Sequence, residues 1–212
     1  MKINTEFYRI ALVGTPGAGK TSVLKILKKS VATSAFKVGF IDEAATTIMR
    51  DPSIRALRST DPVSFQEKVS VTQLFAEDTD LRAALSQGTE KYLQITDRAL
   101  PDAYVYLNGE QRKELRFPLP SVEELNARYD AVICFELYCH GAHLKAGNDL
   151  RAEKALSDIK KVYEKSLRVY SKHPRFYLVS PCDDIRDKAA WVAKVISEIV
   201  GEKIFEVEIS EE

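Results

Sequence analysis

The chain has 212 residues, 45% of them hydrophobic and 29% charged, which suits one globular domain with room for a sizeable core. Lysine plus arginine and aspartate plus glutamate each number 31, so the basic excess usual in nucleic-acid and anionic-membrane binders is missing. No apolar run approaches the roughly 20 residues of a membrane span, the start MKINTEFYRIALVG has no signal-peptide core, and three cysteines without framework spacing point to a cytoplasmic, reducing setting.

The chain alternates short apolar runs with longer amphipathic stretches. YRIALVG (Tyr8 to Gly14) reads as a buried strand, and KTSVLKILKKS as the helix that follows, with Val23, Leu24, Ile26 and Leu27 at helical spacing. FKVGFID (Phe36 to Asp42) is a second strand, and EAATTIMR a helix beginning at Glu43. The stretch from Asp61 to Gly88 opens on Asp-Pro and stops on glycine, so it reads as one long helix with Phe65, Val69 and Leu74 in the core. KYLQITD (Lys91 to Asp97), YDAVICFEL (Tyr129 to Leu137) and RFYLVS (Arg175 to Ser180) are further strands. Long helices are expected over Asp149 to Lys172 and over Asp183 to Gly201, the latter capped by Asp183 or Asp184. Residues 108–128 form a polar excursion with two prolines, and the tail EKIFEVEISEE is either an edge strand or frayed. This alternation predicts an α/β fold: a five-stranded parallel sheet, helices on both faces, the first strand central, all within one domain over 1–212.

The first strand runs into GTPGAGKT, which fits G-x-x-x-x-G-K-[ST] at Gly14, Gly19, Lys20 and Thr21. Glycines let backbone N–H groups turn inward around phosphate oxygens, and the next helix presents its positive end to the anion. The predicted nucleotide cradle is Gly14, Thr15, Pro16, Gly17, Ala18, Gly19, Lys20, Thr21 and Ser22. Lys20 would reach the β- and γ-phosphates and Thr21 would ligate Mg²⁺.

Asp42 and Glu43 end the second strand, and Asp97 and Arg98 end the third. Ligands of open α/β sheets sit beyond the carboxyl ends of strands, so both pairs belong at the rim that carries the loop. GFIDE as the acidic strand of a mechanical ATPase is disfavoured by its closeness to the loop. No D-x-x-G follows a strand and no N-K-x-D occurs, which weakens a Ras-like reading. Glu43 either faces an acceptor or occupies a helix's first turn, where acids are common. A carboxylate pair with an arginine suits phosphoryl transfer, which needs positioned charge and an oriented nucleophile.

The stretches IALVGTPGAGKTSVLKIL, VGFIDEAATTIM, TDRALPDAYVYL, YDAVICFEL and DLRAEKALSDIKKVYEKSLRVY occur in an order that resembles the NadR-type P-loop family. That family includes nicotinamide riboside kinase domains, ATPase/kinase-like proteins and GTP-binding trafficking regulators, and is similar to deoxynucleoside and thymidylate kinases. The resemblance covers roughly residues 8–200 and implies a P-loop kinase fold with a helical lid about 139–155. It implies that Glu43 faces the acceptor, that Asp97 and Arg98 lie near acceptor, Mg²⁺ and phosphate, and that Asp149 and Arg151 belong to the lid. An arginine there makes sense, since its fork can grip phosphate oxygens as charge redistributes. ATP is the expected donor, with GTP the alternative. The 108–128 excursion does not match the riboside kinases.

Cys139, His140 and His143 share one loop but lack zinc-knuckle spacing. Gln66 and Gln73 share a face of the long helix, which in nucleoside kinases can pair with a base; solvated polar residues are the favoured reading here. Tyr104, Tyr106, Tyr163 and Tyr170 are read as packing, and RKELR as a solvated face. The expected activity is a transferase: ATP-dependent phosphorylation of a small hydroxyl acceptor such as a nucleoside or riboside. Lys20, Glu43, Asp97, Arg98 and Arg151 would carry it, with Mg²⁺ between Thr21 and Asp97. The alternative is a nucleotide-dependent switch or slow NTPase, with 108–128 as its surface for a protein or lipid partner.

Overall fold

Burial of every residue from Arg9 to Gly14 marks the strand Glu6–Gly14 (β1) as central, with neighbours on both sides and helices on both faces. The computed structural model describes residues 5–33, 35–136, 156–182 and 184–208. After β1 come α1 (Lys20–Lys29), β2 (Lys37–Ile41), α2 (Ala44–Ile48), α3 (Pro52–Thr60), α4 (Pro62–Ser86) and β3 (Lys91–Asp97). Then follow α5 (Asp102–Tyr106), α6 (Gly109–Lys113), α7 (Val122–Asn126), β4 (Ala131–Phe135), α8 (Leu156–Tyr170), β5 (Phe176–Val179) and α9 (Ile185–Val200). The sheet is wholly parallel, in the order β2-β3-β1-β4-β5. This is the P-loop NTPase fold expected from the alternating pattern.

Period-two alternation splits the strands between two cores. Ile10, Leu12, Leu93 and Ile95 pack against Val23, Leu24 and Leu27 of α1 and Val192 and Ile196 of α9. Ala11, Val13, Val132 and Cys134 pack on the other face, against Val105 of α5 and Val169 and Tyr170 of α8. The register sets Gly14 beside Phe135 and Leu12 beside Asp97, so the ends of β1, β3 and β4 meet at one rim.

Several expectations change. β1 starts at Glu6, before Tyr8. α3 is an additional helix, opened by Asp51 accepting from Ser53 N ahead of Pro52, the same Asp-Pro start that Asp61 and Pro62 give α4. The 108–128 excursion contains α6 and α7, each begun by a capping box, Asn108 with Gln111 and Ser121 with Glu124. The described part of the tail, to Glu208, adds no strand to the sheet but is anchored: Ile204 and Phe205 are buried in the α1–α9 core, and Phe205 makes an antiparallel bridge to Val31. Asp184 caps α9 and Gly201 closes it in the left-handed region, while Asp183 lies outside the described residues. Of the stretch read as a helix from Asp149 to Lys172, the residues before Leu156 also lie outside them.

The largest correction concerns α4. Phe65 is buried, but Leu74 is exposed along with Val71 and Phe75, while Gln66, Gln73 and Glu77 are buried. The reason lies in the strands beneath. Arg9, Tyr92 and Gln94 point to the α4 side, and they require polar partners there. Arg9 Nε donates to Gln94 Oε1 (2.6 Å), Gln94 Nε2 to Asp80 Oδ2 (2.7 Å) and Tyr129 Oη to Glu77 Oε1 (2.8 Å). Gln73 Nε2 also donates to Glu77 Oε1, at 2.9 Å. The polar face of α4 therefore turns inward.

Candidate functional site

The loop after β1 is shaped by close packing. Gly14, Gly17 and Gly19 all have positive φ, at 117°, 83° and 98°. A Cβ at Gly14 would lie 2.5 Å from the Phe135 carbonyl oxygen, and one at Gly19 would lie 2.9 Å from Ile185 Cδ1. The Phe135 backbone leaves no room for a side chain at Gly14, and at Gly19 the positive φ and the Ile185 methyl oppose one, so the backbone winds tightly onto the start of α1. Thr15 and Ala18 are buried, Pro16 is half-buried, and Gly17, Thr21 and Ser22 are exposed at the rim.

Lys20 is buried, and its Nζ donates to the carbonyls of Gly14 (3.1 Å) and Thr15 (2.7 Å). Burial, then the nearby Arg98 charge, pushes the ammonium down to about 8, against the pull of Asp97, Glu43 and Asp102. Thr21 Oγ1 donates to Asp97 Oδ2 at 2.7 Å, tying the start of α1 to the end of β3. The other oxygen, Asp97 Oδ1, is buried without a hydrogen-bond partner among the described residues, as is Thr15 Oγ1. Burial pushes the Asp97 carboxyl up, and Glu43 adds to this while Lys20 opposes it.

Arg98 organises the acidic side. It is the one non-glycine with positive φ among the described residues (87°). Its N–H donates to Leu12 O and its carbonyl accepts from Thr96 Oγ1, which fixes that strained turn. Its Nη1 donates to Gly14 O at 2.7 Å and its Nε to Glu43 Oε1 at 3.1 Å, and Nη1 lies 3.5 Å from Asp102 Oδ2. Tyr106 lies under the guanidinium, 5.8 Å from its ring centroid. Glu43 stands at the start of α2 but caps nothing with its side chain: Oε2 accepts from Thr46 Oγ1. Burial pushes Glu43 up, yet Arg98, Thr46 and Lys20 outweigh it and hold the carboxyl below its usual range. Its side chain keeps 26% exposure, so it can still be reached from solvent.

The structure thus brings Lys20, Thr21, Glu43, Asp97 and Arg98 together. Asp42 is left out: it faces solvent and pairs with Lys28 at 2.6 Å, so it takes no part in an acidic strand motif. Asp149, Arg151, Cys139, His140 and His143, with the lid about 139–155, lie outside the described residues. Gln66 and Gln73 are buried rather than solvated. Of the tyrosines read as packing, Tyr104 donates to Pro120 O, while Tyr106 and Tyr170 touch the site's charges.

Two residues escaped the sequence reading. Asp102 is buried behind Arg98, and Tyr170 Oη donates to Asp102 Oδ1 at 2.7 Å. The signal for Asp102 was its place four residues after Arg98 on the helical turn that follows; nothing local marks Tyr170, which arrives from α8. Burial pushes the Asp102 carboxyl up, with Arg98 and Tyr170 opposing.

A family model described as AAA domain matches residues 9–188. The chain belongs to the AAA domain family. No curated protein matches it. As an AAA domain of the P-loop type it is a nucleotide-binding domain, and such domains generally bind ATP or GTP with Mg²⁺. The residues present suit that pair. The glycine turn leaves no room for a side chain at Gly14, a lysine is buried against it, and a hydroxyl adjoins it with a carboxylate one of whose oxygens has no hydrogen-bond partner among the described residues. Among the described residues no group of three His, Cys, Asp or Glu side chains could hold a metal by itself.

Proposed function

We propose that this AAA domain is an ATP-dependent phosphotransferase acting on a small hydroxyl acceptor, a nucleoside or riboside, as its likeness to the NadR-type family implies. The observation that carries the proposal is Glu43: a carboxylate anchored by Arg98 to the phosphate-loop carbonyl of Gly14, yet partly open to solvent. An anchored and reachable carboxylate can orient the oxygen that attacks the γ-phosphorus, and the likeness to riboside kinases is what favours an acceptor hydroxyl over water in that role.

Lys20 and the loop N–H groups hold the phosphates. Thr21 and Asp97 would hold Mg²⁺, whose contribution is to neutralise the oxygens of the transferring group. The acceptor oxygen attacks the γ-phosphorus in line while the bond to the bridging oxygen breaks, and the nucleoside diphosphate leaves. Glu43 accepts a hydrogen bond from the acceptor hydroxyl and takes its proton as the new P–O bond forms. Its depressed pKa makes it an orienting group before it is a base, which a loose transition state tolerates because the nucleophile need not be deprotonated early. Arg98, charged and locked between Glu43, Asp102 and Gly14 O, adds positive potential beside the transferring group. Arg151 would add a second guanidinium from the lid.

The test is nucleoside-diphosphate release from ATP and GTP with Mg²⁺. It is run alone and with nucleosides, deoxynucleosides, their monophosphates and nicotinamide riboside, with Lys20→Ala as blank. Release that depends on an acceptor and drops about 100-fold or more in Glu43→Gln supports the kinase. Tight nucleotide binding with slow release that no acceptor accelerates refutes it and favours the switch.

A further inference from the structure

Because α4 turns Gln66, Gln73 and Glu77 inward, several of its apolar residues are left outside. Val71 is 64% exposed, Phe75 71%, Leu85 46% and Leu74 39%. Phe117, 78% exposed, follows Arg116, whose N–H donates to Glu67 Oε1 of α4 at 2.6 Å. Among the described residues the remaining large exposed hydrophobics, Val31, Leu178 and Trp191, lie elsewhere in the chain. The five side chains leave on the order of 500 Å² of apolar surface open, near the top of the 300–600 Å² of the largest patch on a monomer.

We infer that this face is the two-fold interface of a homodimer in which α4 crosses α4 of a second copy, antiparallel. A two-fold places the same patch on both sides and buries it twice, about 1,000 Å² of apolar surface, which is where specific interfaces begin. The positions along the stripe choose the direction. Glu67, Val71, Leu74, Asp78, Arg82 and Leu85 step by three and four, so they share one line along the helix. With the axis between Leu74 and Phe75, those two meet their counterparts, Glu67, which also lies 3.7 Å from Arg116 Nε, faces Arg82 of the other copy, and Phe117 lies toward the other copy's Leu85. Asp78 comes opposite Val71, and its charge is already met by Arg128 at 3.0 Å. A parallel crossing would stack Glu67 on Glu67 and Arg82 on Arg82. The inference stands apart from the proposed reaction.

The experiment is sedimentation velocity on the full chain from low to high micromolar concentration. The wild type is expected at twice the chain's mass. Phe75→Glu, at an exposed position, is expected to run as a folded monomer with an unchanged Tm at low concentration. Arg82→Glu is expected to weaken association about tenfold. A wild type that is monomeric throughout, or a dimer indifferent to Phe75→Glu, overturns the interface. A dimer whose association is unchanged or strengthened by Arg82→Glu overturns the antiparallel arrangement.

Discussion

At Lys20 one ionisation acts on binding and on folding with opposite sign. Only the ammonium form neutralises phosphate, and burial brings its titration down to about 8. Nucleotide affinity is expected to be flat on the acid side of that value and to fall up to tenfold per unit above it, followed with a fluorescent nucleotide across pH. For folding, the unfolded chain keeps this proton up to the ordinary 10.5, so between about 8 and 10.5 the unfolded state binds more protons and this group adds stability as pH rises. Tyr170 offers a second test. Tyr170→Phe removes the donor to a buried carboxylate, which costs about 1–3 kcal/mol. If Asp102 steadies Arg98, kcat should drop by more than KM rises; a merely structural role would lower Tm and leave that ratio alone. Lys20, Thr21, Glu43, Asp97 and Arg98 were legible because strand ends and the glycine spacing locate them. Asp102 and Tyr170 were not, because their pairing joins residues 68 apart in sequence.

At the scale of elements, patterning identified every strand among the described residues and the extent of α4, but misjudged which face of α4 turns inward. Helical periodicity predicts which residues share a face, but not which face turns inward. The sheet decided that, through Arg9, Tyr92 and Gln94, and no local signal in α4 reports it. The same contact makes Gly39 indispensable: a Cβ there would fall 1.9 Å from Tyr92 Oη and 2.5 Å from Asp80 Oδ2. Tyr92 donates to that carboxylate and is buried, so neither group can retreat without breaking the bond. Gly39→Ala is expected to cost about 1–3 kcal/mol by overpacking and to lower Tm by roughly 2–12 °C in thermal melts. The additional helix α3 was legible in principle, since Asp51-Pro52 repeats the start that revealed α4.

Across the whole molecule, the tail and the phosphate loop lie at opposite ends of α1. Ala32 N donates to Ile204 O and Glu206 N to Ser30 O, which pins the tail beside the last turn of that helix. Deleting 204–212 strips two buried hydrophobics from the core and is expected to cost about 4 kcal/mol or more, read by denaturant titration, while leaving nucleotide Kd unchanged where the domain stays folded. The position of β1 has a further consequence, for the order in which the molecule comes into being. Its two neighbours arrive late: β3 begins at Lys91 and β4 at Ala131. The glycine turn is held against the backbone of Phe135, so the loop cannot take its shape until synthesis has passed β4. Stalled nascent chains ending short of β4 should therefore fail to retain nucleotide, and the phosphate loop should become competent only well after it has been made.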